Sequence, residues 1–307
     1  MNIVQFIEMF PTEESCKQHL KECREKEGVI CKSCGGVHHY WLKNKWMWQC
    51  SVCDFRTSLR SGTILESSKL PIQKWFLAMA FMSFSKKGIS AKELQRQLSH
   101  KNYEPIWLMM HKLRASMGQR DGRYHLEGML EFDEGHFEKA TPKESKQNLK
   151  RGKGSERQQN VAVIAESTPL EDPLSGKKSK HVRYFKMKVL DSYKTEDIDK
   201  VVAESITKES VIFSDKSNTY LNMGDYVEVH VMEKSTSETT NSSLKWVHIA
   251  IANAKRTLLG IYHRINGEYL QAYLDEFCYK LNRRYFGENL FDRLLIAAIN
   301  GNWQNNR

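Results

Sequence analysis

Hydrophobic residues fall along this chain in two rhythms. From Leu70 to Met117, and again from Glu268 to Ala298, they recur at helical spacing; between about 125 and 215 they gather into short runs bounded by polar sequence. In the first stretch Pro71 suits the first turn of a helix whose apolar positions include Trp75, Phe76, Met79 and Ala80, and Gly88 ends it. Ser90, with Glu93 at capping-box spacing, opens a short helix carrying Leu94 and Leu98. A third helix is predicted from Tyr103 to Met117, with Lys112 and Arg114 near its surface as candidate DNA contacts. Short helix, turn, helix is a helix-turn-helix arrangement; the same spacing fits a three-helix bundle that merely packs. Ahead of this stretch, residues 1–27 read as an amphipathic helix closed by Gly28.

The middle of the chain reads as strands. GMLEFDEGHFE, QQNVAVIAES, VRYFKMKVLD and ESVIFSD are apolar runs with polar borders that read as strands, which with the helices on either side predict an α+β or α/β chain. Two insertions interrupt them. Lys139 to Gln158 holds seven Lys or Arg against two Glu and reads as a mobile basic loop, and 169–181 reads as a hairpin loop between the second and third strands. Near the end, apolar or aromatic positions 270, 273, 274, 277 and 281 share one helical face.

Four of the seven cysteines change the picture, because they fall as two tight pairs, Cys31-x2-Cys34 and Cys50-x2-Cys53. Each pair occupies a short turn, which lets two thiolates converge on one ion while backbone N–H groups point at the sulfurs. The aromatic and basic segment between them, GGVHHYWLKNKWMWQ, alternates enough for a hairpin. The reading is a zinc ribbon. Reduced core cysteines have no reason to pair so, and a catalytic dithiol needs one CxxC alone. His38 and His39 read as surface or DNA-facing residues rather than ligands.

The formal charge of +10 favours a polyanionic partner. No apolar run approaches the roughly 18 residues of a spanning helix, the N-terminus is too acidic for a signal peptide, and an odd cysteine count suits a reducing cytoplasm. Candidate chemistry lies in two aspartates. Asp133 follows Met129, Leu130 and Phe132, and Asp215 follows Val211, Ile212 and Phe213, so each stands near the C-terminal part of a short buried strand. If those strands are neighbours, the two carboxylates can hold a pair of divalent ions for phosphoryl transfer. Alternatively each starts a turn or caps a helix. Glu134 is either a backup ligand or a solvated residue.

In the segments CKSCGG…WQCSVCDFRTSLRSGTI, EFDEGHFE, VIFSDKSNTY and WVHIAIANAKRTLLGIYHRINGEYLQAYLDEFCYKLNRRYF, the chain resembles the zinc-ribbon transposases of bacterial insertion sequences, the IS1595-like group with an ISXO2-like catalytic domain. The resemblance implies an RNase H-like fold with Asp133 and Asp215 at the first two acidic positions of a DDE-type triad. It implies structural Zn2+ on Cys31, Cys34, Cys50 and Cys53, and catalytic Mg2+ or Mn2+. At the third position the sequence most nearly reads Asn253, and some members of the group carry Asn there, followed by a basic residue such as Lys255. An amide oxygen coordinates Mg2+ without adding charge. Downstream, Glu268, Asp275 and Glu276 read as faces of the last helix, with Glu276 an alternative ligand. His248 and His263 read as phosphate- or water-orienting residues, or as packing. Arg256 and the loop residues Lys150, Arg151 and Lys153 are expected to contact phosphate. The implied organisation is an N-terminal helix (1–27), a ribbon (28–65), a helix-turn-helix-like region (66–120) and a catalytic domain (121–307). The implied partners are double-stranded DNA, as terminal inverted repeats and as target, and further copies of the chain, in a bacterial cytoplasm. A catalytically silent DNA-binding derivative and a plain metal-dependent endonuclease are the alternatives.

Overall fold

The computed structural model describes residues 2–140, 155, 157–171, 178–192, 194–234, 236 and 242–303. Lys150, Arg151 and Lys153 lie outside them, as does the middle of the 169–181 segment. The elements in chain order begin with α1 (Ile3–Met9), α2 (Glu13–Glu27), β1 (His39–Leu42), β2 (Met47–Cys50) and β3 (Arg56–Ser58). Then come α3 (Ile72–Phe84), α4 (Ala91–Gln97), α5 (Tyr103–Gly122), β4 (Met129–Glu138), β5 (Gln158–Glu171) and β6 (Lys178–Val189). The chain continues through α6 (Thr195–Ser205), β7 (Val211–Asp215), β8 (Val229–Glu233), α7 (Lys245–Tyr262), α8 (Leu270–Asn282) and α9 (Leu290–Asn300). They form two units, one of residues 1–120 with 286–307, the other of residues 121–285. Among the described residues, no helix is long and apolar enough to cross a membrane.

In the first unit the expected single N-terminal helix is two. Thr12 accepts a hydrogen bond from the Ser15 amide while Ser15 Oγ accepts from the Thr12 amide, a reciprocal cap that starts α2 afresh. Phe6, Phe10, Phe76 and Phe291 meet with ring centroids 5.1–5.7 Å apart, joining α1, α3 and α9. Residues 286–307, expected with the catalytic core, therefore cluster with this unit, because α9 turns Leu290, Phe291, Leu294 and Leu295 into its interior. A second correction concerns Lys112 and Arg114. Both are buried: α5 carries them alongside its own buried Ile106, Met109, Met110, Leu113 and Met117, and Lys112 Nζ donates to the Glu66 carbonyl at 2.9 Å. Neither stands at the surface where the sequence reading placed it.

The second unit is a five-stranded sheet in the order β6-β5-β4-β7-β8. β5 runs antiparallel to β4 and β6, whereas β4, β7 and β8 run parallel. Strand periodicity sorts its two faces. Phe137, Val161, Val163 and Phe185 pack with Val247, Ala250, Ile251 and Ala254 of α7 and with Leu270 and Leu274 of α8. Leu130, Phe132, Ile164 and Ile212 pack on the other side with Ile198 and Val202 of α6 and with Tyr220.

Candidate metal centres

The ribbon brings Cys31, Cys34, Cys50 and Cys53 together, with all four sulfurs within 4.8 Å of one another. Cys31 and Cys53 are 3.6 Å apart, and Cys34 and Cys50 are 3.5 Å apart. Four thiolates about 2.3 Å from one zinc ion would stand roughly 3.8 Å apart, so the cluster has the dimensions of a structural site. Amides of Val52 and Cys53 aimed at Cys50 lower its pKa to about 7, favouring the thiolate. Gly36 leaves the room: a Cβ there would lie 3.2 Å from Cys50 Sγ and 3.3 Å from Cys34 Sγ. His38 and His39 stand outside the cluster, and His39 Nδ1 lies 3.2 Å from the Val37 carbonyl oxygen.

In the second unit the parallel register pairs Glu131 with Phe213, so Asp133 and Asp215 stand two residues further along neighbouring strands and project from the same face. Their charges sense each other. Burial raises the Asp133 pKa to about 6, with the Asp215 and Glu134 carboxylates adding to the rise; the Glu134 amide and the His248 charge oppose it. Burial, then Glu134, Asp133 and Asp215 in turn, raise Tyr220 above the usual phenol range.

What stands over the two aspartates follows from Glu131. This buried carboxylate accepts hydrogen bonds from the Trp246 and Val247 amides at 2.6 and 3.1 Å, capping the start of α7. Asp133 projects from the same side of β4 one strand repeat later, and the first-turn residue His248 meets it, Nε2 lying 3.7 Å from Oδ2. α7 also lies close to β4 at Gly135, where a Cβ would come 3.3 Å from Ile251.

Asn253 is placed elsewhere. Five residues beyond His248 it is turned about 140° around the helix axis, and its Oδ1 accepts from Arg256 Nη2 at 2.7 Å. Lys255 shares the His248 side of α7, about 10 Å further along, with Nζ 5.7 Å from the Phe137 ring centre. Arg256 is exposed and bonds back to the Ala252 carbonyl as well. Glu134, one residue from Asp133, points to the opposite face and is held by Asn160 and Thr219. On α8, which packs over β6, Asp275 accepts from Gln271 at 2.8 Å and Glu276 is buried. Glu268 accepts from Asn266 at 2.7 Å, and His263 ends α7 in left-handed backbone. The sequence reading thus missed Glu131 as a helix cap and did not foresee the contact of His248 with Asp133. The signal for His248 was its place just inside the first turn of a helix that follows the last parallel strand.

The sequence profile of the ISXO2-like transposase domain matches residues 125–282, just over half of the chain and nearly all of the second unit. The chain belongs to this DDE-type transposase family. Membership implies a DDE-type mechanism, and Asp133, Asp215 and His248 all fall within the match. A protein of the transposable element ISH50 from Halobacterium salinarum is 26% identical over 169 residues, 52% of this chain and 55% of the relative. The chain spans about half the length of that curated relative. Among solved structures, a pre-cleavage Mos1 transpososome aligns over 71% of this chain and 76% of its own at 9% identity, with a TM-score of 0.24, too low to speak to a shared fold.

Proposed function

We propose that this chain is a DNA transposase that cuts at the ends of its element and joins the exposed 3′-hydroxyls to target DNA, with Asp133, Asp215 and His248 as the metal-holding residues. The observation that carries the reading is the pair of aspartates in register on adjacent parallel strands with His248 brought against the first. A sheet in which the second strand is antiparallel and the chain order is third, second, first, fourth, fifth supports an RNase H-like core. The donor set suits divalent cations: two carboxylates, one raised in pKa by burial and by the other's charge, gain from a cation between them and are the oxygen donors that Mg2+ and Mn2+ take, while an imidazole is a softer donor, better matched to Mn2+ than to Mg2+. Ions bound there would activate the attacking water or 3′-hydroxyl and stabilise charge on the leaving oxygen.

The chain's own residues do the positioning. Glu131 fixes where α7 begins and hence where His248 stands. Lys255, on the same side of that helix, is placed to meet a phosphate of the strand leaving the site. The basic loop residues Lys150, Arg151 and Lys153, with Arg256, supply sequence-independent phosphate contacts, and action on two DNA ends calls for at least two copies. The ribbon, holding zinc, belongs to recognition rather than chemistry.

The deciding experiment incubates the full chain with DNA carrying the terminal repeats that flank its gene, plus Mg2+ or Mn2+, and maps cleavage and strand joining. Asp133→Asn and Asp215→Asn are expected to retain end binding and to lose at least about 10³-fold in cleavage, some 4 kcal/mol of barrier. His248→Ala should join them, while Asn253→Ala should cleave near the parental rate. Parental cleavage by either aspartate variant removes that residue from the site.

A further inference from the structure

We infer that the surface formed by α4 and its flanking loops, residues 86–101, is where the first unit grips the phosphate backbone of duplex DNA. This rests on the transposase reading above and moves the contact away from α5, whose Lys112 and Arg114 are buried. α4 turns Ala91, Leu94 and Leu98 inward and leaves its other side to solvent. Lys86, Lys87, Lys92, Arg96 and Lys101 are all exposed within this one stretch. An open cavity of about 600 Å³ runs between Ser90, Lys92, Arg96, His100 and Lys101. The one carboxylate lining it, Glu93, is already engaged by Arg96 at 2.6 Å, an exposed pair that is worth little and yields readily to a phosphate.

The surface is built rather than loose. Gln95 Nε2 donates to the carbonyls of both His100 and Lys101 at 3.0 Å, holding the loop that carries Lys101 against the helix. Ser90 accepts from the Glu93 amide, fixing the other end. Lys92 and Arg96 stand one turn apart on the exposed side of α4, about 6 Å along its axis, and Lys101 continues the row on the loop that Gln95 holds. Long basic side chains in such a row suit phosphates, which position a duplex without reading it. Single strands are gripped by stacking on aromatic platforms, and Phe, Tyr and Trp are missing from this cavity's lining.

The test titrates fluorescent duplex DNA of unrelated sequence into the full zinc-loaded chain at several salt concentrations. Replacing Lys92, Arg96 and Lys101 together by alanine is expected to reduce the slope of log K against log[salt] by about 3, equally for every duplex. Lys92→Gln with Lys101→Gln leaves the Arg96–Glu93 pair intact and should reduce it by about 2, so a folding defect in the triple variant does not obscure the result. Unchanged affinity and slope in a variant whose parent binds duplex overturns this surface and leaves the transposase reading standing. A parent without affinity for duplex overturns both, and a greater loss on single-stranded RNA than on duplex overturns the choice of partner.

Discussion

At Asp133 the chain holds a carboxylate whose pKa is raised to about 6, chiefly by burial and further by Asp215 and Glu134. The sign of its effect on folding follows. Between the unfolded value near 4 and the folded value, the unfolded chain releases this proton first, so stability falls as pH rises through that window. Above pH 6 the charged group costs the metal-free fold up to about 3 kcal/mol, and below pH 4 it costs nothing. Asp133→Asn is therefore expected to raise the melting temperature in EDTA at pH 8 and to leave it unchanged near pH 4, even as it abolishes cleavage. A lower melting temperature at pH 8 would mean that Asp133 supports the fold. Residues of this kind were legible: an aspartate closing a buried apolar run has no packing reason to be there, and four cysteines in two CxxC turns are equally conspicuous. Their partner was not. The sequence reading gave α7 no bounds; Asn253 and His248 both lie on it, and only the helix's rotation and start distinguish them. The cap supplied by Glu131 sets both, from more than 100 residues away.

Elements were read from rhythm, and rhythm failed where it was short. The runs ending at Asp133 and Asp215 have enough buried residues to announce strands. β8 is a five-residue edge strand with its Val229 and Met232 exposed, so alternation alone left it unread, and α6 was hidden by the charges that separate Ile198, Val201 and Val202. Helix α7 was left without bounds, and its closeness to β4 could not be read, since that depends on Gly135. Adding a Cβ there would place it 2.9 Å from Phe137 Cε2 and 3.3 Å from Ile251, forcing α7 outward by some tenths of an ångström. Active sites answer steeply to such shifts, with about 10²-fold for an ångström. Gly135→Ala should thus lose roughly tenfold in cleavage while keeping end binding. Adding Ile251→Ala, which removes both Cγ atoms that the new methyl meets, should restore part of the rate. Failure of that second change to help would show that Gly135 acts through something other than helix approach.

Over the whole molecule the order of the chain and the grouping of its parts differ. The first unit takes its final helix from beyond the second, so it is assembled from both ends of the described sequence. Nothing in the periodicity near residue 290 says which core α9 will join; a helix with Leu290, Phe291, Leu294 and Leu295 on one face would suit either. The decision lies in aromatic packing. Phe291 is fully buried, with its ring 5.5 Å from Phe6 and 5.7 Å from both Phe10 and Phe76. Truncating such a ring to alanine removes its transfer free energy and leaves a cavity, at a cost of about 3–5 kcal/mol. A domain commonly has only about 5–15 kcal/mol in total. Phe291→Ala is therefore expected to raise hydrogen exchange in α1, α3 and α9 by at least 10²-fold at neutral pH, while the amides of β4 and β5 keep their protection. Residue-resolved exchange on the zinc-loaded protein checks this. Loss of protection in β4 and β5, with α1 and α3 unchanged, would show instead that α9 stabilises the sheet and that the first unit closes without it.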